Sequence, residues 1–208
     1  MLWIVPGIIT SYLIGSIPTA YIFVRCIKGI DIRQVGSGNV GATNAMRVLG
    51  KKLGLLVLLL DVAKGTLAVM LLTSLLKDKI FSAPYKELLP LACGLGCISG
   101  HNWTIFLKFK GGKGVATTLG VLIGFAFEIK GLAIILALAL GTWVVIFLTT
   151  RIVSVGSIIT AILFPLYMVL FRQTLIMVIF TLILAIFILY RHLPNLKRLL
   201  QKKEKRIF

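Results

Sequence analysis

The 208-residue chain is 59% hydrophobic and 14% charged, with a mean hydropathy of +1.04, whereas soluble domains are roughly 45–50% apolar and about 25% charged. This excludes an ordinary soluble enzyme and reads as one all-α integral membrane domain. Twenty-three Lys and Arg against six Asp and Glu give a formal charge of +17; because these cations lie between long apolar runs, the balance argues against nucleic acid and for anionic lipid or an anionic substrate.

In chain order, the apolar stretches are Leu2–Val24, Leu53–Leu76, Leu88–Leu107, Gly131–Thr149, Ile152–Phe171 and Thr174–Tyr190, each near the roughly 17–25 residues a transmembrane helix needs. Val115–Phe127 is shorter, either a re-entrant segment or a tilted seventh span. The first stretch has no basic residue before it, and Arg25 and Lys28 follow it. It therefore reads as a retained span with its amino terminus outside, rather than a signal peptide.

Charge decides the short stretch. With seven spans, the inner segments Arg25–Lys52, Lys108–Gly114, Arg151 and Arg191–Phe208 hold 17 of the 23 basic residues. The outer ones hold only Lys77, Lys79, Lys86, Lys130 and Arg172. Without the seventh crossing the basic tail would lie outside, against the positive-inside rule. The expectation is about seven transmembrane helices in a single domain, 1–208, with glycine-rich cytoplasmic loops and a basic cytoplasmic tail, 191–208. Three polar, basic segments facing one compartment suggest one shared site.

The first segment, "GSGNVGATNAMRVLG", begins G-x-G-x-x-G. A dinucleotide loop needs a preceding strand and an acidic residue about 20 positions on; here a membrane span precedes, and Asp61 lies inside the next apolar run. The glycine physics remains. Gly36, Gly38 and Gly41 permit positive φ and close approach, so backbone N–H groups can cup an anion. Ser37, Asn39, Thr43 and Asn44 add short donors, and Arg47 adds a bidentate fork. The plainer alternative is an interfacial loop whose glycines relieve packing.

The second segment, "KFKGGKGVATTLG", is not a Walker A loop, since Lys113 is followed by Gly114. Gly111, Gly112 and Gly114 nevertheless bracket a lysine before a helix start, which suits a phosphate; a charged turn anchoring two spans is the alternative. In the tail, His192 and Asn195 share a face if the last helix continues, but Pro194 makes that doubtful, and the pair suits a site or the interface equally. Asp61 and Lys64 can pair within the second span, as a structural pair or a proton relay. Ser154 and Ser157 open the sixth span, facing a site or packing helices. Cys93 and Cys97 share a helix face and read as packing residues. No H-x-x-x-x-D, no acidic cluster for Mg²⁺ and no Ser–His–Asp set occurs.

At these residues the chain resembles the bacterial acyl-phosphate:glycerol-3-phosphate acyltransferases, integral membrane enzymes of phospholipid synthesis. "DIRQVGSGNVGATNAMRVLGKK" is similar to the family's first motif, "FKGGKGVATTLG" to its second and "YRHLPNLKRLL" to its third, and "LLLDVAKG" also matches. The resemblance implies a seven-helix fold with a cytoplasmic-face site. It also implies acyl transfer from acyl-phosphate to the 1-hydroxyl of glycerol 3-phosphate, giving lysophosphatidate and phosphate. It gives catalytic roles to Ser37, Arg47 and Lys113. Gly36, Gly38, Asn39, Gly41, Thr43, Asn44, Gly111, Gly112, Gly114, Ser157, His192 and Asn195 become substrate-binding. No metal, cofactor or obligate protein partner is implied; the partners are the two substrates and membrane lipid. One departure stands out. Leu193 and Pro194 occupy "RHLPN" where the family has an acidic residue before the asparagine, so any carboxylate role there is lost or moved. The rival class is a small organophosphate transporter, which would also place glycine loops around anions.

Overall fold

The structure, a computed structural model, describes residues 3–76 and 83–206, with the backbone alone for 83–87. Among these residues there are helices and turns but no strand. The outer-loop lysines Lys77 and Lys79 lie outside the described residues, as does the side chain of Lys86.

The helices are α1 (Ile4–Ser16), α2 (Thr19–Lys28), α3 (Ala42–Leu49), α4 (Lys51–Leu76), α5 (Ala83–Asn102), α6 (Val115–Ala126), α7 (Leu132–Thr150), α8 (Val153–Leu170), α9 (Leu175–Arg191) and α10 (Leu193–Leu200). Single-turn 3-10 helices cover Ile32–Gln34 and Ile105–Leu107. Among the described residues, four segments are long and apolar enough to cross a membrane: Ile4–Lys28 taken together, α4, α7 and α8. A fifth follows if α9 and α10, bent by 56°, form one span. Helix α6 has 12 residues and is about 18 Å long, against about 30 Å of hydrocarbon.

The first apolar stretch is not one helix. It breaks at Ile17–Pro18, where Ile17 takes ψ 113°, because a residue before proline is pushed out of the helical region. The inner segment Arg25–Lys52 holds a separate helix, α3, ended by Gly50 at φ 90°. The tail turns at His192 into the amphipathic α10, with Pro194 tolerated in its first turn.

The chain forms two compact units, one ending at Glu128 and one beginning at Ile129. In the first, small residues let helices approach closely. Gly15 of α1 lies against the Cys97 backbone of α5, and Gly100 of α5 lies against Tyr12 and Ser16. Ser11 donates to the Cys93 carbonyl, and the Tyr12 hydroxyl donates to Trp103 O at 2.7 Å. Cys93 and Cys97 are buried, free thiols. Gly120 of α6 meets the α4 backbone at Val62, and Thr66 Oγ1 donates to Gly120 O at 2.8 Å. Those contacts fix where the amino-terminal end of α6 lies on α4. In the second unit, α7, α8 and α9 bury Ile135, Phe164, Met168 and Phe180, and expose Val145, Ile162, Leu166 and Ile186. Apolar side chains on the outside suit helices whose solvent is lipid.

Candidate functional site

The first motif is organised around Asn44, which is completely buried. Its Nδ2 reaches the carbonyls of Ile32, Val35 and Asn39 at 3.2, 3.0 and 3.0 Å, and its Oδ1 accepts from Ser37 N at 2.8 Å. One amide therefore ties four points of the loop to the start of α3. Both ends of the Asn44 side chain are thus engaged in shaping the loop. Gly36 (φ 65°) and Gly38 (φ 71°) have the left-handed backbone that favours glycine. Gly41, at φ −144°, is extended and caps α3, so it does not share that reason.

Ser37 and Arg47 are exposed, and Asn39 and Thr43 are half-buried. The Gly41 carbonyl accepts from Asn44 N and Ala45 N, both at 3.0 Å. The N–H groups of Ala42 and Thr43 stand before those bonds, outside the ladder of α3. Upstream, Asp31 accepts from Arg33 N at 2.9 Å and pairs with the Arg33 guanidinium. Arg33 in turn lies 5.6 Å over the Tyr21 ring. The Arg33 hydrogen bond holds the Asp31 carboxyl below its usual range.

The first motif rests on an apolar cluster that reaches the turn before the second. Ile32, Val40, Ala42 and Ala45 of the first motif cluster with Ala20, Val24, Val57 and Leu107. Leu107 closes the 3-10 turn that leads into the second motif.

In the second motif, Gly111 N donates to Asn102 O at 3.2 Å and Gly112 N to His101 O at 3.0 Å. A Cβ on Gly111 would strike the His101 and Asn102 backbone, and one on Gly112 would strike the His101 imidazole. These two N–H groups thus dock the loop onto the end of α5. Gly114 (φ 78°) caps α6, and Thr118 N donates to its carbonyl at 2.7 Å. The N–H groups of Val115, Ala116 and Thr117 precede that first bond. Half-buried Lys113 stands just before the amino-terminal end of α6, the end of a helix that favours negative charge.

Behind this loop lies a buried charge cluster. Lys64 Nζ is 2.9 Å from Asp61 Oδ1 and donates to Ile17 O at 3.0 Å. Thr19 Oγ1 donates to Asp61, and His101 Nδ1 lies 3.7 Å from the same carboxylate. Thr104 Oγ1 donates to Ser16 O at 2.5 Å. The carbonyls freed by the α1–α2 break thus find side-chain donors. Of the two readings of Asp61 and Lys64, this geometry fits the structural pair.

In the second unit, His192 ends α9 and opens α10. Its Nδ1 faces the Ile188 carbonyl at 2.8 Å; since a carbonyl only accepts, Nδ1 carries the proton. Asn195 is buried, and its Nδ2 donates to Glu204 Oε1. Glu204 also receives Ser154 Oγ at 2.8 Å and Arg198 Nε at 2.6 Å. Ser157 accepts from Trp143 Nε1 at 3.2 Å and donates to Val153 O at 3.0 Å. Both bonds fit the helix-packing alternative for this hydroxyl.

His101, Asn102 and Glu204 are the residues sequence reasoning passed over. "GHNW" preceding the glycines held the only signal for the first two, and a lone acidic residue in a basic tail for the third.

A family described as glycerol-3-phosphate acyltransferase matches residues 5–202. A protein of that name from Chlorobaculum parvum is 47% identical over 169 residues, covering 80% of this chain and 70% of that one. Another from Desulforudis audaxviator is 44% identical over 196 residues, covering 94% and 91%. A crystal structure of PlsY, an integral membrane glycerol 3-phosphate acyltransferase, in its glycerol 3-phosphate form superposes with a TM-score of 0.85 at 35% identity, covering 98% of this chain and 94% of that one. Its lysophosphatidic acid form gives 0.82 at 34%.

Proposed function

From the premise that this chain belongs to the glycerol-3-phosphate acyltransferase family, as an integral membrane protein, we propose that it transfers a fatty acyl group from acyl-phosphate to the 1-hydroxyl of glycerol 3-phosphate. The products are 1-acyl-glycerol 3-phosphate and inorganic phosphate. The observation that carries this reading is the Asn44-tied loop, which holds Ser37 by its backbone beside the start of α3 and leaves its side chain exposed, with Arg47 further along the same helix.

The chemistry follows from the donor. Acyl-phosphate is a mixed anhydride with phosphate as leaving group. The substrate hydroxyl oxygen bonds to the acyl carbon, the carbon–oxygen bond to phosphate breaks, and the hydroxyl proton passes to the departing phosphate. Lys113 and Arg47 neutralise the phosphates and the charge that develops on them, so catalysis is electrostatic stabilisation plus positioning. Ser37, Asn39 and Thr43, together with Gly36 and Gly38 and the amino-terminal ends of α3 and α6, supply hydrogen bonds to phosphate. His192 and Asn195 contact the substrate from the third motif. The acyl chain lies among lipid-exposed helices.

The positive-inside count supports seven crossings with the amino terminus outside, and puts the three motifs and the carboxy terminus at the cytoplasmic face of the cell membrane. On this reading α6 is the short crossing and α5 the third.

Detergent-purified protein given palmitoyl phosphate and glycerol 3-phosphate is expected to form lysophosphatidate, with Lys113→Ala and Arg47→Ala each lowering turnover at least a hundredfold. No product from the wild type, or near wild-type turnover in either variant, overturns the account. No membrane separates two compartments in that assay, so transport cannot satisfy it. A burst of acyl-enzyme would move the mechanism to a covalent one with Ser37 as nucleophile.

A further inference from the structure

Glu204 lies beyond α10, in a segment of the tail that the sequence reads as basic and cytoplasmic, yet its side chain is only 8% exposed. Three donors converge on it: Ser154 at the start of α8, and Asn195 and Arg198 of α10. Burial acts to raise its pKa, but hydrogen bonds from Arg198, Asn195 and Ser154 outweigh this, and the carboxyl lies below its usual range. It is therefore an ionised group held at both oxygens, not an incidental surface acid.

Its effect on Asn195 follows from hydrogen-bond arithmetic. A carboxylate only accepts, so the edge of the Asn195 amide that faces Glu204 must be the NH₂ edge. Flipping the amide would set two acceptors against each other. Oδ1 is then turned to the other side, where it is buried and, among the described residues, receives no hydrogen bond. A buried acceptor left without a donor has lost its water and gained nothing in exchange. Such an acceptor suits a ligand that brings an O–H.

We propose that Glu204 is a positioning residue for the acyl acceptor: it locks the Asn195 amide by its NH₂ group, so that Oδ1 is presented to a hydroxyl of glycerol 3-phosphate. The assignment rests on the acyltransferase reading above. Glu204 stands nine residues after Asn195, brought back by the turn after α10.

A donor–acceptor swap tests it, with kcat and KM for glycerol 3-phosphate measured at saturating palmitoyl phosphate. Glu204→Gln has the same size but lets the Asn195 amide take either orientation. It is expected to raise KM at least tenfold while moving kcat less, and Asn195→Ala to do the same. Glu204→Gln added to Asn195→Ala is expected to cost nothing further. Asn195→Asp sets two carboxylates together and loses activity; adding Glu204→Gln restores a donor to that edge and recovers at least tenfold of the loss. This swap gives a result even if Glu204→Gln alone does not fold. A Glu204→Gln enzyme within twofold of wild type overturns the proposal. So do penalties that multiply in the double variant with Asn195→Ala, or a swap no better than Asn195→Asp. Wild-type protein that forms no product overturns the acyltransferase reading and this proposal with it; active wild type with an unaffected Glu204→Gln overturns this proposal alone.

Discussion

Lys64 lies 2.9 Å from the Asp61 carboxylate, one helical turn away on α4, and both side chains are buried. The pair fills the gap left where α1 breaks, since Lys64 also donates to Ile17 O and Thr19 donates to Asp61. Removing one partner of a buried ion pair strands the other, at about 3–5 kcal/mol. Lys64→Met and Asp61→Leu are each expected to lower the thermal unfolding midpoint sharply in detergent. The double variant should recover most of that loss, because it strands no charge. Two single losses that simply add would show that the pair does not act as a unit.

Asn44 makes a different kind of prediction, because its amide serves the loop on both sides. Asn44→Asp keeps size and shape but has no N–H to give Ile32, Val35 and Asn39. It should therefore be as damaging as Asn44→Ala, at about 2–3 kcal/mol or more, since carbonyls are left unpaired. Arg33, in this loop, gives trypsin a cleavage site. Faster cleavage after Arg33 at unchanged helical circular dichroism is expected in both variants. Wild-type cleavage rates in Asn44→Asp would remove Asn44 from the centre of the motif.

Two glycines separate steric from conformational cost. Gly29 has φ 70° but open space around its would-be Cβ, whereas a Cβ on Gly111 meets the backbone of His101 and Asn102. Gly29→Ala should cost about 1–2 kcal/mol, the ordinary penalty of a left-handed residue. Gly111→Ala must push the second motif off the end of α5, and should abolish activity through Lys113. Measured turnover and stability of the two variants decide this; a mild Gly111→Ala would mean that the docking is not required.

The helices themselves were legible, because apolar runs long enough for a bilayer leave little freedom. The stretches read as Leu53–Leu76 and Gly131–Thr149 appear as Lys51–Leu76 and Leu132–Thr150. What escaped was local backbone chemistry. Pro18 was visible in "GSIPTA", but the apolar count across it hid the α1–α2 break. Asn44 looked like one more polar residue in a ligand loop, and only burial distinguishes an organiser from a contact. The second-motif glycines suggested a nest, yet nothing in "KGGKG" tells that two of its N–H groups dock on His101 and Asn102. Glu204 was hidden by distance, since the turn after α10 is what brings it to Ser154 and Asn195.

That same contact has a pH signature. Glu204 has a lowered pKa in the folded protein, the opposing effect of burial being overcome by Arg198, Asn195 and Ser154. A carboxyl with a depressed folded pKa binds fewer protons folded than unfolded. Its contribution is complete above the unfolded value, roughly pH 4.3, and is lost as pH falls through the lower folded value. Asp31, also lowered by Arg33, adds a loss of the same sign, so the wild-type profile alone does not isolate Glu204. The difference between wild type and Glu204→Gln does, because Asp31 is common to both. The gap in unfolding midpoint is expected to be constant from about pH 8 down to about pH 6, and to narrow once Glu204 protonates. A gap that widens on acidification would mean that the carboxylate is held at a net electrostatic cost, and that the three donors do not outweigh its burial.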